Sequence, residues 1–247
     1  MDRDILNINN GFMTRNNQEI YSSLLSYIKN NKEKIKFQKH PLGFKYFKLG
    51  KISETEEFRL HFWINTNENQ DDDLQIHDHS FNFESFVVYG NLKNTVFISK
   101  NEDNSNGYLY DVIFRNEKSR LVLNSNNLLL KILNFQVIKT GEFYYQESNE
   151  LHKSENINDL TISLLKIIKP ENKIARVFSP KILSELPCFE RSFVSDIKNL
   201  ELLNQLVDKI KMGKSTVANS YIYDWRKSSQ INKRENFEIP SSIQNLY

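Results

Sequence analysis

Between Leu42 and Ile168 the chain is a succession of short runs rich in β-branched and aromatic residues, broken by clusters of Asn, Asp, Gly and Ser. The pattern predicts strands at Phe44–Leu49, Phe58–Asn65, Leu74–His79, Ser85–Tyr89, Thr95–Ser99 and Tyr108–Arg115. It continues with Arg120–Leu123, Leu129–Ile138, Glu142–Tyr145 and Leu160–Ile168. Turn signals separate them, among them "NTNENQDDD", "YGNLKN", "KNEDNSNG", "KTGE" and "NIND". So many short strands in so little chain fit an antiparallel sandwich or barrel.

Helical texture flanks this region. In Asn17–Lys36 the residues Ile20, Leu24, Leu25 and Ile28 fall at helical spacing with a polar opposite face. In Asp196–Met212 one stripe carries Ile197, Leu200, Leu203, Leu206, Val207 and Ile210. Ser195 suits its N-cap and Gly213 its C-terminal stop. That helix is a packing element or the interface of a homodimer. The polar remainder, anchored by Tyr221, Tyr223 and Trp225, reads as an arm over the barrel or a partner, or as a disordered tail. The expected division is 1–40, an N-terminal helical extension; 41–170, the barrel; and 171–247, a C-terminal helical extension and arm.

Composition narrows the function classes. The 247 residues carry a formal charge of +2 with acids and bases interspersed, which favours neither nucleic acid nor acidic membranes as partner. The single cysteine, Cys188, excludes an intrachain disulfide and suits a reducing compartment. The opening "MDRDILNINNGFMTRNNQ" lacks a signal peptide's apolar core, and no run is long enough to span a bilayer. The expectation is cytoplasmic, with no membrane partner.

The chemistry concentrates in "QIHDHSFNFESFVVYGNL". His77 and His79 have i, i+2 spacing, so on a strand both imidazoles leave the same face and can chelate a divalent transition metal. Alone, such a pair is most often a polar strand edge. His152, in "GEFYYQESNELHKSEN", is the candidate third ligand from a neighbouring strand. His40 and His61 lack comparable support, and an ordinary role is expected for each.

The two stretches resemble the cupin signatures. The first reads His-x-His, four residues, Glu84, five residues, Gly90; the second runs from Gly141 through ten residues to His152, then three more to Asn156. The family's proline and glycine in the second motif are replaced by Glu147 and Asn149, and the first motif is one residue short before its glycine. Asn149 is a workable substitute because asparagine tolerates a left-handed turn. Within the cupins, "IHDH" followed by "GNLKNTVF", and "LHKSENI" followed by "ISL", are most similar to the cysteine dioxygenase family of thiol dioxygenases, over roughly Phe44 to Pro170.

The resemblance implies a mainly β fold, a cupin-type double-stranded β-helix (jelly-roll barrel) with helical extensions. It implies a mononuclear Fe(II) on His77, His79 and His152, with Mn2+, Ni2+ or Zn2+ also acceptable to imidazoles. A small-molecule substrate and O2 would take the open positions. Three neutral ligands leave the site at +2, which suits an anionic chelator such as a thiolate or enolate. The expected function is an iron-dependent dioxygenase acting on a small polar metabolite.

Departures from that family alter the substrate machinery. Glu84 stands where animal members carry a crosslinking cysteine, and Ile167 near the place of its tyrosine partner. The arginine that grips a carboxylate falls near Tyr46-Phe47-Lys48, leaving Lys48, a point charge without a planar fork. In "FRLHFWIN" Arg59, His61 and Trp63 share one face; if it looks into the barrel, Arg59 holds an anionic substrate and Trp63 walls the pocket. If it looks out, they are surface residues. Glu84 has three readings: a fourth metal ligand, a general base or hydrogen-bond acceptor raised in pKa by burial, or a solvated residue on the far face unless a bulge intervenes. Tyr89, Tyr144 and Tyr145 line the cavity or belong to the core. Two other functions stay open: an O2-independent metal-dependent isomerase or lyase with Glu84 as base, and a non-enzymatic cupin that binds a ligand or partner.

Overall fold

The computed structural model describes residues 2–64, 72–103, 105, 107–115, 118–169, 173–184 and 188–234, with residues 72 and 220–234 as backbone alone. Helices α1 (Arg3–Thr14) and α2 (Asn17–Asn31) come first. Strands β1 (Gln38–Lys39), β2 (Lys45–Lys51), β3 (Glu56–Ile64), β4 (Asn82–Tyr89), β5 (Asn91–Asn101), β6 (Tyr108–Arg115) and β7 (Lys118–Ser125) follow. Then come β8 (Leu128–Lys139), β9 (Phe143–Gln146), β10 (His152–Asn156), β11 (Leu160–Ile168), β12 (Arg176–Ser179) and β13 (Cys188–Glu190), and the long α3 (Asp196–Arg234).

The body is mainly β, with curled antiparallel sheets and a barrel-like form. The first sheet has the order β1-β2-β3-β11-β4-β9. Opposite it lie β10-β5-β8 and β12-β6-β7-β13. His77 joins these two groups, bridging His152 on one side and Val177 on the other. Leu74–His79 is therefore not the regular strand expected: a 3-10 turn occupies Asp72–Leu74 and His77 makes only isolated bridges. The strands β12 and β13 lie beyond residue 170 and still pair with β6 and β7.

Strict alternation on the first sheet decides what each face does. Phe58, Leu60 and Phe62 of β3, with Phe86 and Val88 of β4, are buried against Phe12, Ile20, Tyr21, Leu24, Leu206 and Ile210 of the helices. The opposite face gives Phe83, Val87, Leu165 and Ile167 to an interior cluster with Leu92 and Ile138 from the facing sheet. Helices from both ends of the chain thus cover one outer face and leave the other face for the interior.

Two helical features differ from expectation. The segment before Asn17 forms α1, its start capped by the Asp2 carboxylate, which accepts from the Asp4 N–H at 2.8 Å. Gly213 does not end α3. A Cβ there would lie 2.1 Å from the Val88 carbonyl oxygen and 3.0 Å from the Tyr21 hydroxyl, so this glycine lets α3 cross β4 closely. Ser195 caps α3 as expected, its hydroxyl accepting from the Lys198 N–H at 3.4 Å. Leu203, Leu206 and Ile210 are buried within the chain, whereas Ile197 and Leu200 are exposed. Asn65–Asp71, Pro170, the segment after Arg234 and the side chains of Tyr221, Tyr223 and Trp225 lie outside what is described.

The glycine of the first motif is fixed by geometry. Gly90 has φ +84°, and a Cβ on it would sit 2.5 Å from the Leu160 carbonyl oxygen and 2.5 Å from the Thr161 Oγ1. Gly90→Ala is expected to cost about 2 kcal/mol or more, from left-handed strain and overlap together. A urea midpoint indistinguishable from wild type would contradict this.

Candidate metal centre

His77, His79 and His152 converge as the spacing predicts, one ring nitrogen from each lying within 4.8 Å of the other two. His77 and His152 exchange both backbone hydrogen bonds, at 3.0 and 2.8 Å, which locks the two ligand-bearing segments side by side. The turn before His152 closes on Asn149 at φ 63°, the left-handed conformation asparagine accepts, and its N–H donates to the His79 carbonyl.

Tautomers are set by backbone carbonyls. The His77 Nδ1 lies 2.9 Å from the Gln75 carbonyl oxygen and the His152 Nδ1 3.1 Å from that of Glu150. A neutral ring donating Nδ1–H in this way turns an Nε2 lone pair toward the cluster, as a metal ligand requires. Burial lowers the pKa of His77, and lowers His152 to about 3 with help from His77. Burial, then the neighbouring His77 and His152, holds His79 well below its ordinary value. The rings are neutral before any ion arrives, so binding at neutral pH displaces no proton.

The donor set fits a divalent transition metal. Bond lengths of about 2.1 Å require nitrogen separations of roughly 3.0–3.4 Å, somewhat shorter than the 4.8 Å within which the three ligand atoms lie. The set is all-nitrogen, because Glu84 lies on the other face of β4. Its carboxylate pairs with Arg15 at 2.5 Å, while neighbouring Phe83 faces His79 and His152 with ring centroids 5.2 and 6.1 Å away. No bulge reverses the alternation between Phe83 and Glu84, so the fourth-ligand and base readings lose their geometry.

An irregularity does occur further along. The β11 register jumps from Val87 to Tyr89, leaving Val88 unpaired. The extra residue turns Tyr89 toward the helices, where Lys209 stands 4.7 Å from its ring centroid. Tyr89 therefore does not line the interior. Lys48 is exposed, with its charge acting on Glu57.

The face carrying Arg59, His61 and Trp63 looks inward. Arg59 lies 5.4 Å over the Phe81 ring, which itself stacks on His79 with centroids 4.8 Å apart. Burial raises the Glu57 carboxyl, but Arg59, Lys169 and Lys48 more than offset this, and the net shift is downward. Glu57 accepts from Arg59 Nε at 2.7 Å and neutralises it, so Arg59 is engaged within the fold. Trp63 donates its indole N–H to Ser163 Oγ at 3.2 Å.

From the sequence alone, His40 is expected to have no more than an ordinary role. It stacks on Phe44 at 4.1 Å, and Phe44 stacks in turn on His61 at 4.5 Å. Burial is the main cause lowering both imidazoles, His61 to about 3 and His40 well below its usual value; His77 contributes to both. All five histidines thus gather in one interior. The only signal in the sequence was the parity of His61 with Arg59 and Trp63; nothing local marked His40.

A cavity of about 180 Å³ adjoins this wall, between the Leu42–Phe44 turn, Trp63, Gln75 and the Lys153–Asn156 stretch. Its floor at Gln75 is the residue that orients His77. Ile167 is fully buried in the interior cluster, and the nearest phenol there, Tyr144, is pushed by burial to about 12. Among the described residues no helix is long and apolar enough to cross a membrane. No family model matches the chain, and no curated protein matches it.

Proposed function

We propose that the chain is a metal-dependent enzyme of cupin type, a non-haem Fe(II) oxygenase that acts on a small polar metabolite. The observation that carries this reading is the cluster of three neutral imidazoles, two of them tautomer-fixed by backbone carbonyls, at the end of a mixed aromatic and polar interior. A bound Fe(II) would supply coordination sites for O2 and an anionic substrate, and the redox chemistry to join them.

The remaining wall binds, orients and excludes water. Phe81 and Phe83 shield His79, Trp63 is held by Ser163, and Phe44 is sandwiched between His40 and His61. With Glu84 turned away and tied to Arg15, an isomerase or lyase that uses this carboxylate as base has little support. The altered wall also favours a substrate other than free cysteine, since Lys48 is exposed and Arg59 is bound to Glu57.

Purified protein is expected to take up one divalent ion at neutral pH. His77→Ala and His152→Ala should each weaken that binding about 100-fold or more, since losing a ligand exceeds the 10–100-fold effect of an outer-shell loss. Loaded anaerobically with Fe(II), the wild type should consume O2 with a member of a panel of thiols, amino acids and β-diketones, and neither variant should. Wild-type protein that binds no divalent ion tightly would sink the reading.

A further inference from the structure

Near His40 lies a cation that no carboxylate neutralises among the described residues. Arg191 forms no ion pair among the described residues, and its Nε–H is buried without an acceptor. The Phe114 ring covers one face of the group, its centroid 4.9 Å from the guanidinium carbon. The Nε–H on the edge of the fork, where an oxyanion would bind, is left without an acceptor among the described residues.

The backbone shows which way Arg191 faces. Gln38 pairs with Phe193, and the Lys39 N–H donates to the Ser192 carbonyl at 2.9 Å. Alternation then places Gln38, His40, Arg191 and Phe193 on one face, and Phe37 and Val194 on the other. Phe37 and Val194 are buried in the core under the helices, so Arg191 and His40 share the opposite side, at an edge where Phe193 is 61% exposed. Arg191 is also the strongest charge acting on His40, which in turn feels His61 and His77. The Leu42 N–H donates to His40 Nδ1 at 3.2 Å, so the neutral His40 ring carries its proton on Nε2 and offers a second donor.

We propose that Arg191 and His40 form a subsite for an anionic oxo group, a carboxylate or a phosphate, on the ligand that enters the histidine-lined interior. A planar guanidinium matches either group through two N–H donors, and the imidazole adds a third. The subsite is reached through the same interior as the metal reading but does not depend on a bound ion. It places the anion grip on the segment between β13 and α3, at neither Lys48 nor Arg59.

The test uses the full chain without metal. Acetate and inorganic phosphate are titrated at neutral pH, with acetamide as the uncharged control, while NMR follows the His40 ring and the Trp63 indole N–H. Saturable shifts are expected with one or both anions and none with acetamide. Arg191→Gln should weaken anion binding about tenfold or more, and Arg191→Lys should retain part of it. Tighter binding of phosphate identifies a phosphorylated ligand, and equal or tighter binding of acetate a carboxylate. Absence of a saturable shift in the wild type, or anion binding unchanged in Arg191→Gln, overturns the proposal. If Arg191→Gln fails to fold, full affinity in Arg191→Lys overturns the fork geometry on its own. Divalent-ion uptake is measured separately, so its failure with anion binding intact removes the metal and leaves this subsite.

Discussion

Acidifying the metal-free protein from about pH 7 to about pH 4.5 is expected to remove about 3 kcal/mol of stability through His40 and His61 alone, and His77, His79 and His152 add to the loss. Burial, then the charges of Arg59 and His77, lowers His61 to about 3, and His40 is held well below its ordinary value by burial, Arg191 and its histidine neighbours. A group whose folded pKa is lowered takes up a proton more readily when the chain unfolds. Below the unfolded value of about 6.5, acid therefore pulls the equilibrium toward the unfolded chain, by up to ~1.4 kcal/mol per pH unit for each such histidine. Above that value both states are neutral and stability is flat with respect to these groups. The partial exposure of His40 and His61 screens part of the effect, which is why the expected loss is below the ideal sum. Urea midpoints across this range would measure it. His61→Phe should flatten the slope by about one proton. A midpoint unchanged down to about pH 5 would refute the assignment of neutral, buried imidazoles.

The second large effect is expected at Asp78, between the two histidines of the first motif. Its side chain is fully buried, and it accepts from the Arg176 N–H at 2.5 Å and from Nε at 2.7 Å. Arg176 also donates to the Asn149 carbonyl at 3.1 Å, so one guanidinium ties the His77–His79 segment to the turn before His152. Burial pushes the Asp78 carboxyl upward, against the pull of Arg176. Asp78→Ala should cost about 3 kcal/mol, the lower end for a broken buried pair, because the Arg176 side chain keeps 29% exposure. It should also weaken divalent-ion affinity about 10–100-fold, as loss of an orienting group does. Asp78→Asn keeps an acceptor and should fall between. Unfolding midpoints and a cobalt titration read the two effects. Lowered stability with unaltered metal affinity would reduce Asp78 to a purely structural role.

Much of this site was legible because its determinants are local. The i, i+2 histidines, the Asn149 turn and the apolar stripe of α3 follow from backbone periodicity and left-handed tolerance, which a short stretch of sequence carries. The rest depends on pairings remote in the chain. Whether Arg59, His61 and Trp63 look inward was set by the helices covering Phe58, Leu60 and Phe62. Tyr89 was turned outward by a one-residue bulge against β11. Asp78 fixes the segment through Arg176, 98 positions away, a partner that no local pattern marks. Gly213 looked like a helix stop because glycine usually is one; its actual task, admitting the Val88 carbonyl, appears only once α3 lies on β4.

The arrangement of the helices has a kinetic side. The outer face of the first sheet is closed jointly by α1 and α2 from the start of the chain and by α3 from its end. The Tyr21 hydroxyl, hydrogen-bonded to Val88 at 2.9 Å, lies beneath Gly213, so the last helix seals a joint that the second one opens. During synthesis Phe58, Leu60, Phe62 and Phe86 must remain incompletely covered until α3 has left the ribosome. Such long-range closure slows folding and lengthens the interval in which apolar surface is open to misassociation.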